Sequence, residues 1–235
     1  MASSSPRVRS LWPNQPSLVA VFGPTRSGKS YLAIKSLFNS GASSLAHRYT
    51  VVGLLSPTAA MDDTWRRFCK YTYLQDDISP PAVEQFVADM IEAQRRFREK
   101  DPKAQSLIIV DDCLGSISPS SSLIRLCSRY RHHRLSIVWL SQLYRDFKPV
   151  VRVSADCIVL FGTYNTKEAG KIVEEYGGSF PDFERLYADN TKERHSYIVV
   201  DQKNRQIRDQ KGRIISDPNS AQSLPPSSAL SGVDA

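Results

Sequence analysis

No stretch of the 235-residue chain approaches the roughly 20 consecutive apolar residues that a membrane-crossing helix needs. No membrane span is therefore expected. The N-terminus, MASSSPRVRSLWPNQP, carries positive charge but has no apolar run behind it, so it does not read as a secretory leader. Cysteine is scarce. The four residues, Cys69, Cys113, Cys127 and Cys157, are widely spaced and none forms C-x-x-C. That pattern speaks against a disulfide framework or a zinc site, and for reduced thiols in a reducing compartment. No internal repeat is visible, which excludes a repeat architecture.

What is present suits one substantial domain with tails. Hydrophobic residues make up 41% of the chain, enough for a core. The formal net charge of +7 permits contact with nucleic acid or another anionic surface without requiring it. Residues 1–16, rich in Ser, Pro and Arg, read as a flexible arm. Residues 17–202 read as the folded domain, and 203–235 as a polar, disordered tail. Within the domain, short runs rich in Val, Ile and Leu predict strands at Leu18–Phe22, Tyr49–Leu55, Leu107–Asp111, Ser136–Leu140, Cys157–Phe161 and Tyr197–Val200. Helical patterns fall between them. The clearest is Pro81–Lys100, where Val83, Phe86, Val87, Met90, Ile91 and Phe97 share a face. This alternation predicts an α/β fold, a mostly parallel sheet with helices on both faces.

Residues 23–30 read GPTRSGKS between a predicted strand and a predicted helix. This is the G-x-x-x-x-G-K-[ST] phosphate loop in its required context. Gly23 and Gly28 let the backbone curl, so that Pro24, Thr25, Arg26, Ser27 and the residues on to Tyr31 wrap around phosphate oxygens, each but Pro24 offering an N–H. Proline itself lends only its fixed turn. The following helix adds free N–H groups and the positive end of its dipole. Lys29 would neutralise the outer phosphates of ATP, and Ser30 would hold Mg²⁺.

A second signal is Leu107-Ile108-Ile109-Val110-Asp111-Asp112, an apolar strand ending in two carboxylates. At the C-terminal end of a parallel strand both emerge where ligands bind in open α/β sheets. Asp111 fits the Walker B role beside Mg²⁺. Asp112 is then the candidate to position or deprotonate water, although an Asp-Asp pair also suits a plain turn before Gly115. A third strand ends in Ser141-Gln142, where Gln142 can sense a γ-phosphate or orient water. Between the two strands lies Arg125-Leu126-Cys127-Ser128-Arg129-Tyr130-Arg131-His132-His133-Arg134. This basic segment reads as a solvated helix face, an arginine finger, or a DNA phosphate contact, and spacing does not separate the three.

The order GPTRSGKS, LIIVDDCLG, CSRYRHHR, LSIVWLSQ and FKPVVRVSADCIVLF resembles the poxvirus-type genome-packaging ATPases of the FtsK/HerA superfamily. The resemblance covers about residues 17–200. It implies a RecA-like P-loop core and a homo-oligomeric ring, a hexamer or pentamer. It also implies ATP-driven movement of double-stranded DNA into a capsid, with capsid vertex proteins as partners. The implied place is the virion or capsid vertex, and the host cytoplasm or nucleus during assembly. Lys29 and Ser30 match the phosphate-binding lysine and magnesium hydroxyl, Asp111 the Walker B aspartate, and Gln142 the polar residue ending the sensor strand. Asp112 stands where the superfamily usually has glutamate, one methylene longer. Arg129 falls where relatives carry an arginine before the sensor strand, a candidate finger in trans, with Arg131 its rival. Three other readings stay open: a plasmid or mobile-element pump of the same superfamily, a nucleotide-regulated DNA-binding protein, and a small-molecule kinase. The last would need an arginine-rich lid, and no such insertion is evident.

Overall fold

The structure is a computed structural model that describes residues 16–38, 48–68, 72–113 and 115–218. The predicted arm, but for Pro16, and residues 219–235 of the predicted tail lie outside these. One nine-stranded sheet organises the chain. Its strands are β1 (Leu18–Phe22), β2 (Tyr49–Leu55), β3 (Tyr73–Gln75), β4 (Gln105–Asp111), β5 (Leu135–Ser141), β6 (Cys157–Phe161), β7 (Tyr197–Asp201), β8 (Gln206–Asp209) and β9 (Ile214–Ser216). They lie in the order β3-β2-β4-β5-β1-β6-β7-β8-β9. The pairs from β3 to β6 are parallel, and those from β6 to β9 are antiparallel.

All six predicted strands are present, with β1, β2 and β6 at the expected bounds. Each is an apolar run because both faces of the sheet are covered. Along β1, Leu18, Ala20 and Phe22 face one core, and Val19 and Val21 face the other. The first core is closed by α3 (Pro80–Lys100), α4 (Ser122–His133), α5 (Pro149–Ser154), α6 (Thr166–Gly177) and α7 (Phe183–Asn190). The second is closed by α1 (Lys29–Phe38) and α2 (Asp63–Phe68). In α3 the expected face is buried at Val83, Phe86, Val87 and Met90, but Phe97, in the last turn of the helix, is 38% exposed.

The chain stays folded beyond residue 202, which corrects the predicted start of the tail. Strands β8 and β9 extend the sheet to Ser216. They escaped notice because only Ile207 among their apolar residues is fully buried, so neither shows an apolar run. The described cysteines Cys113, Cys127 and Cys157 are free and buried, and burial pushes each thiol up to about 12. Among the described residues no helix is long and apolar enough to cross a membrane.

At the N-terminal edge of the sheet a buried carboxylate ties three elements together. Asp156, 2% exposed, accepts from the Leu18 amide at 3.0 Å and from the Tyr130 hydroxyl at 2.5 Å, and pairs with Arg131. The Arg131 guanidinium also lies 4.9 Å from the Tyr130 ring centroid. These bonds fix the end of α4 against the starts of β1 and β6. Replacing Asp156 with Ala leaves a buried amide and hydroxyl without partners. Denaturant unfolding of Asp156→Ala should show a loss of about 3 kcal/mol. Arg131→Ala should lose only about 1 kcal/mol, because its side chain is 59% exposed. Equal losses would show that Asp156 is not the hub.

Candidate nucleotide-binding site

Strand register gathers the motifs at one edge of the sheet. Phe22 is paired with Ser141, and Asp111 with Leu140. The loop after β1, the two carboxylates after β4 and Gln142 after β5 therefore emerge side by side. The sensor strand β5 lies between the other two, so Gln142 stands between the loop and Asp112. A bond from the Gly23 amide to the Ser141 carbonyl, at 3.1 Å, locks the loop to this strand.

The loop has the backbone its sequence demands. Arg26 and Gly28 take positive φ, 62° and 100°. At Gly28 a side chain would also meet the His195 ring, 3.2 Å from where its Cβ would stand. Helix α1 begins at Lys29, so its first amides have no intrahelical acceptor and face the loop's mouth. Lys29 is 7% exposed, and its ammonium donates to the carbonyls of Gly23 at 2.6 Å and Pro24 at 3.0 Å. Burial lowers its pKa, and the nearby charges of Asp111 and Asp112 oppose that. Tyr31 differs from the other loop residues. Its ring is 62% exposed and lies 5.8 Å from the Lys35 ammonium, so only its backbone belongs to the loop's mouth.

Asp111 is 5% exposed, and burial lifts its pKa to about 6 against the pull of its hydrogen bonds and Lys29. One oxygen, Oδ2, accepts from Ser30 Oγ at 3.1 Å and from Trp65 Nε1 at 2.7 Å. A hydroxyl and a carboxylate in contact are hard oxygen donors, which fits Mg²⁺ bound through few protein groups together with phosphate and water. Asp112 is half-buried with φ 55°, a left-handed backbone that Asp tolerates better than most residues. Its Oδ1 accepts from Gln142 Nε2 at 2.5 Å, while Gln142 Oε1 accepts from Thr25 Oγ1 at 2.5 Å. One polar line thus runs from the phosphate loop through Gln142 to Asp112.

Two contributors were not legible in the sequence. Trp65, fully buried in α2, reaches Asp111 across 46 residues. His195 Nδ1 donates to the Ser27 carbonyl at 2.8 Å from 168 residues away, which requires a proton on Nδ1. A buried indole needs an acceptor, so Trp65 signalled a bond but not its partner. Nothing marked His195.

Arg129 and Arg131 are not at this site. Helix α4 runs from the β4 side back to the start of β5, so both lie toward the edge of the sheet opposite the P-loop. Arg131 is held by Asp156, which gives it a structural role. Arg129 is exposed and has no ion-pair partner among the described residues.

Comparison with known families decides the identity. The family model described as Poxvirus A32 protein matches residues 8–169. The chain belongs to the poxvirus A32 protein family. This is a family of viral genome-packaging ATPases. Solved structures agree on the fold of the A32-family chain. The DNA-packaging ATPase B204 of Sulfolobus turreted icosahedral virus has a TM-score of 0.61 at 18% identity, over 83% of this chain and 97% of that one. The genome-packaging NTPase B204 of Sulfolobus turreted icosahedral virus 2, in complex with ATP-gammaS, has a TM-score of 0.59 at 18% identity, over 84% and 97%. The pCW3 conjugation coupling protein TcpA, with ATPgS, has a TM-score of 0.55 at 8% identity, over 79% and 57%. Among curated protein sequences no relative matches the chain.

The shared oxygen of Asp111 yields a test in this A32-family chain. Trp65→Phe keeps most of the ring volume but removes the N–H that holds the carboxylate. Mg²⁺-supported nucleotide affinity should fall several-fold, while affinity measured in EDTA stays unchanged. Titration with a fluorescent ATP analogue, with and without Mg²⁺, checks this. Equal losses in both conditions would reduce Trp65 to a packing residue.

Proposed function

We propose that the chain is an ATP-driven motor that moves double-stranded viral DNA into a capsid. In this reading ATP is hydrolysed at the contacts between subunits of a homo-oligomeric ring, hexameric or pentameric. The ring works at a capsid vertex, docked on vertex proteins, in the host cytoplasm or nucleus during assembly. The observation that carries the reading is the polar line Thr25–Gln142–Asp112 beside the Ser30–Asp111 pair. A nucleotide-regulated DNA-binding protein has no need for a carboxylate held by a glutamine that also touches the phosphate loop.

Each residue then has a role. Lys29 exchanges two loop carbonyls for phosphate oxygens, which a mobile ammonium does at little cost. Ser30 and Asp111 would hold Mg²⁺, which neutralises charge on the transferred phosphoryl group. Asp112 accepts the proton of attacking water, and Gln142 fixes the direction of that carboxylate. Gln142 also reports phosphate occupancy, because Thr25 and Asp112 are bound to the two ends of the same amide. The shorter side chain at 112 is set by its left-handed backbone and by the bond from Gln142. Arg129, remote from its own site, can act at a nucleotide only in a neighbouring subunit.

Two experiments test this. Lys29→Ala should lose ATP hydrolysis while its circular dichroism is unchanged. Asp112→Asn should still bind ATP but turn it over at least about 100-fold more slowly. Normal turnover in either folded variant would overturn the site. For the shared interface, Arg129→Ala and Asp112→Asn subunits, each nearly inactive, are mixed in the presence of DNA. Some contacts then pair an intact Asp112 with a neighbour's Arg129, so part of the activity should return. A finger contributes about 10³–10⁵ in rate in other phosphoryl-transfer systems, so even a minority of restored contacts is measurable. No recovery in rings shown to be mixed would exclude Arg129 as the finger and leave α4 to DNA phosphates.

A further inference from the structure

Beside the first half of the phosphate loop lies a cleft of about 510 Å³. One wall is the loop itself, residues 24–27. A second is the turn after β6, residues 161–164. The third is the segment between α7 and β7, residues 191–196.

The walls are held in place by close contacts. Gly162 lets the two loops touch, because a Cβ there would stand 2.5 Å from the Thr191 carbonyl oxygen. His195 then ties the third wall to the first through the Ser27 carbonyl. Thr191 Oγ1 and the Tyr187 hydroxyl anchor the walls to α7 and to the end of β6, at 2.7 Å each. The cleft is therefore built by residues far apart in sequence.

Two features of its lining point to one ligand chemistry. Tyr164 is 101% exposed at the rim, a whole aromatic ring left in water. Arg26 and Arg194 stand at the mouth, exposed and without ion-pair partners among the described residues. An uncovered aromatic face and unpaired cations suit a flat ring joined to an anionic group. The cleft also opens onto the loop that would hold phosphates.

Resting on the nucleotide reading above, we propose that this cleft takes the nucleoside end of the nucleotide, with the base laid against the Tyr164 ring. Stacking removes apolar ring surface from water on both partners and does not depend on which base is present. Phe161, buried beneath and in contact with Tyr197 at 5.1 Å between ring centroids, backs the same wall. The phosphates and the base would thus be held by separate parts of the chain, the loop after β1 and the turn after β6.

Separate holding makes the proposal testable apart from the phosphate site. Binding of ATP and of inorganic tripolyphosphate is measured by calorimetry for the wild-type chain, Tyr164→Ala, Tyr164→Phe and Lys29→Ala. The wild-type chain should bind ATP more tightly than tripolyphosphate. Tyr164→Ala should weaken ATP about tenfold or more and leave tripolyphosphate unchanged, and Tyr164→Phe should restore ATP. Lys29→Ala should weaken both. Unchanged ATP affinity in Tyr164→Ala overturns the proposal, as does an equal loss for both ligands. So does a wild-type chain that binds the two ligands alike, although the phosphate site would stand. A wild-type chain that binds neither overturns the nucleotide reading and this proposal together.

Discussion

The site depends on keeping one carboxylate where water cannot reach it. Asp111 ends a strand buried on both faces, and its charge is costly there without partners. Ser30, Trp65 and the nearby ammonium of Lys29 supply them. The partners come from two separate stretches of chain: the start of α1, which supplies Lys29 and Ser30, and the helix after β2, which supplies Trp65. Holding the carboxylate therefore holds the sheet's edge, the loop and α2 in one arrangement. A divalent cation and a phosphate would meet groups already in position, so little ordering is left for the moment of binding.

Asp156 is the counterpart at the other edge of the sheet. It too is a buried carboxylate shared by several elements, but its partners are a backbone amide, a phenol and an arginine. No open donor remains for a ligand. The two aspartates show why burial of charge alone does not mark a functional site. What differs is whether the partners, like Lys29 and Ser30, can turn toward something else.

The central strands were legible because burial on both faces leaves continuous apolar runs, a local property. Strands β3, β8 and β9 lack that signature, being short and partly exposed, and were not read. The phosphate loop is likewise local, since eight consecutive residues and their flanks carry it. Asp111, Asp112 and Gln142 could be named from strand ends, because parallel strands expose their C-terminal ends together. Their hydrogen bonds could not, because Thr25 and Gln142 are 117 residues apart. Trp65 and His195 depend wholly on how distant segments pack. In the basic segment, spacing treated Arg129 and Arg131 alike. Packing separates them, since Asp156 holds one and leaves the other in solvent.

The two outermost strands, β3 and β9, are three residues long. Edges so short offer few unpaired amides and carbonyls to another chain. Copies meeting rim to rim would gain little backbone bonding, so sheets have small tendency to fuse into a continuous ribbon. In the proposed ring, association between copies would then be left to side chains on helices and loops. Contacts of that kind can slide, tilt and re-form, whereas a shared ladder of backbone bonds would have to break for one subunit to move against the next.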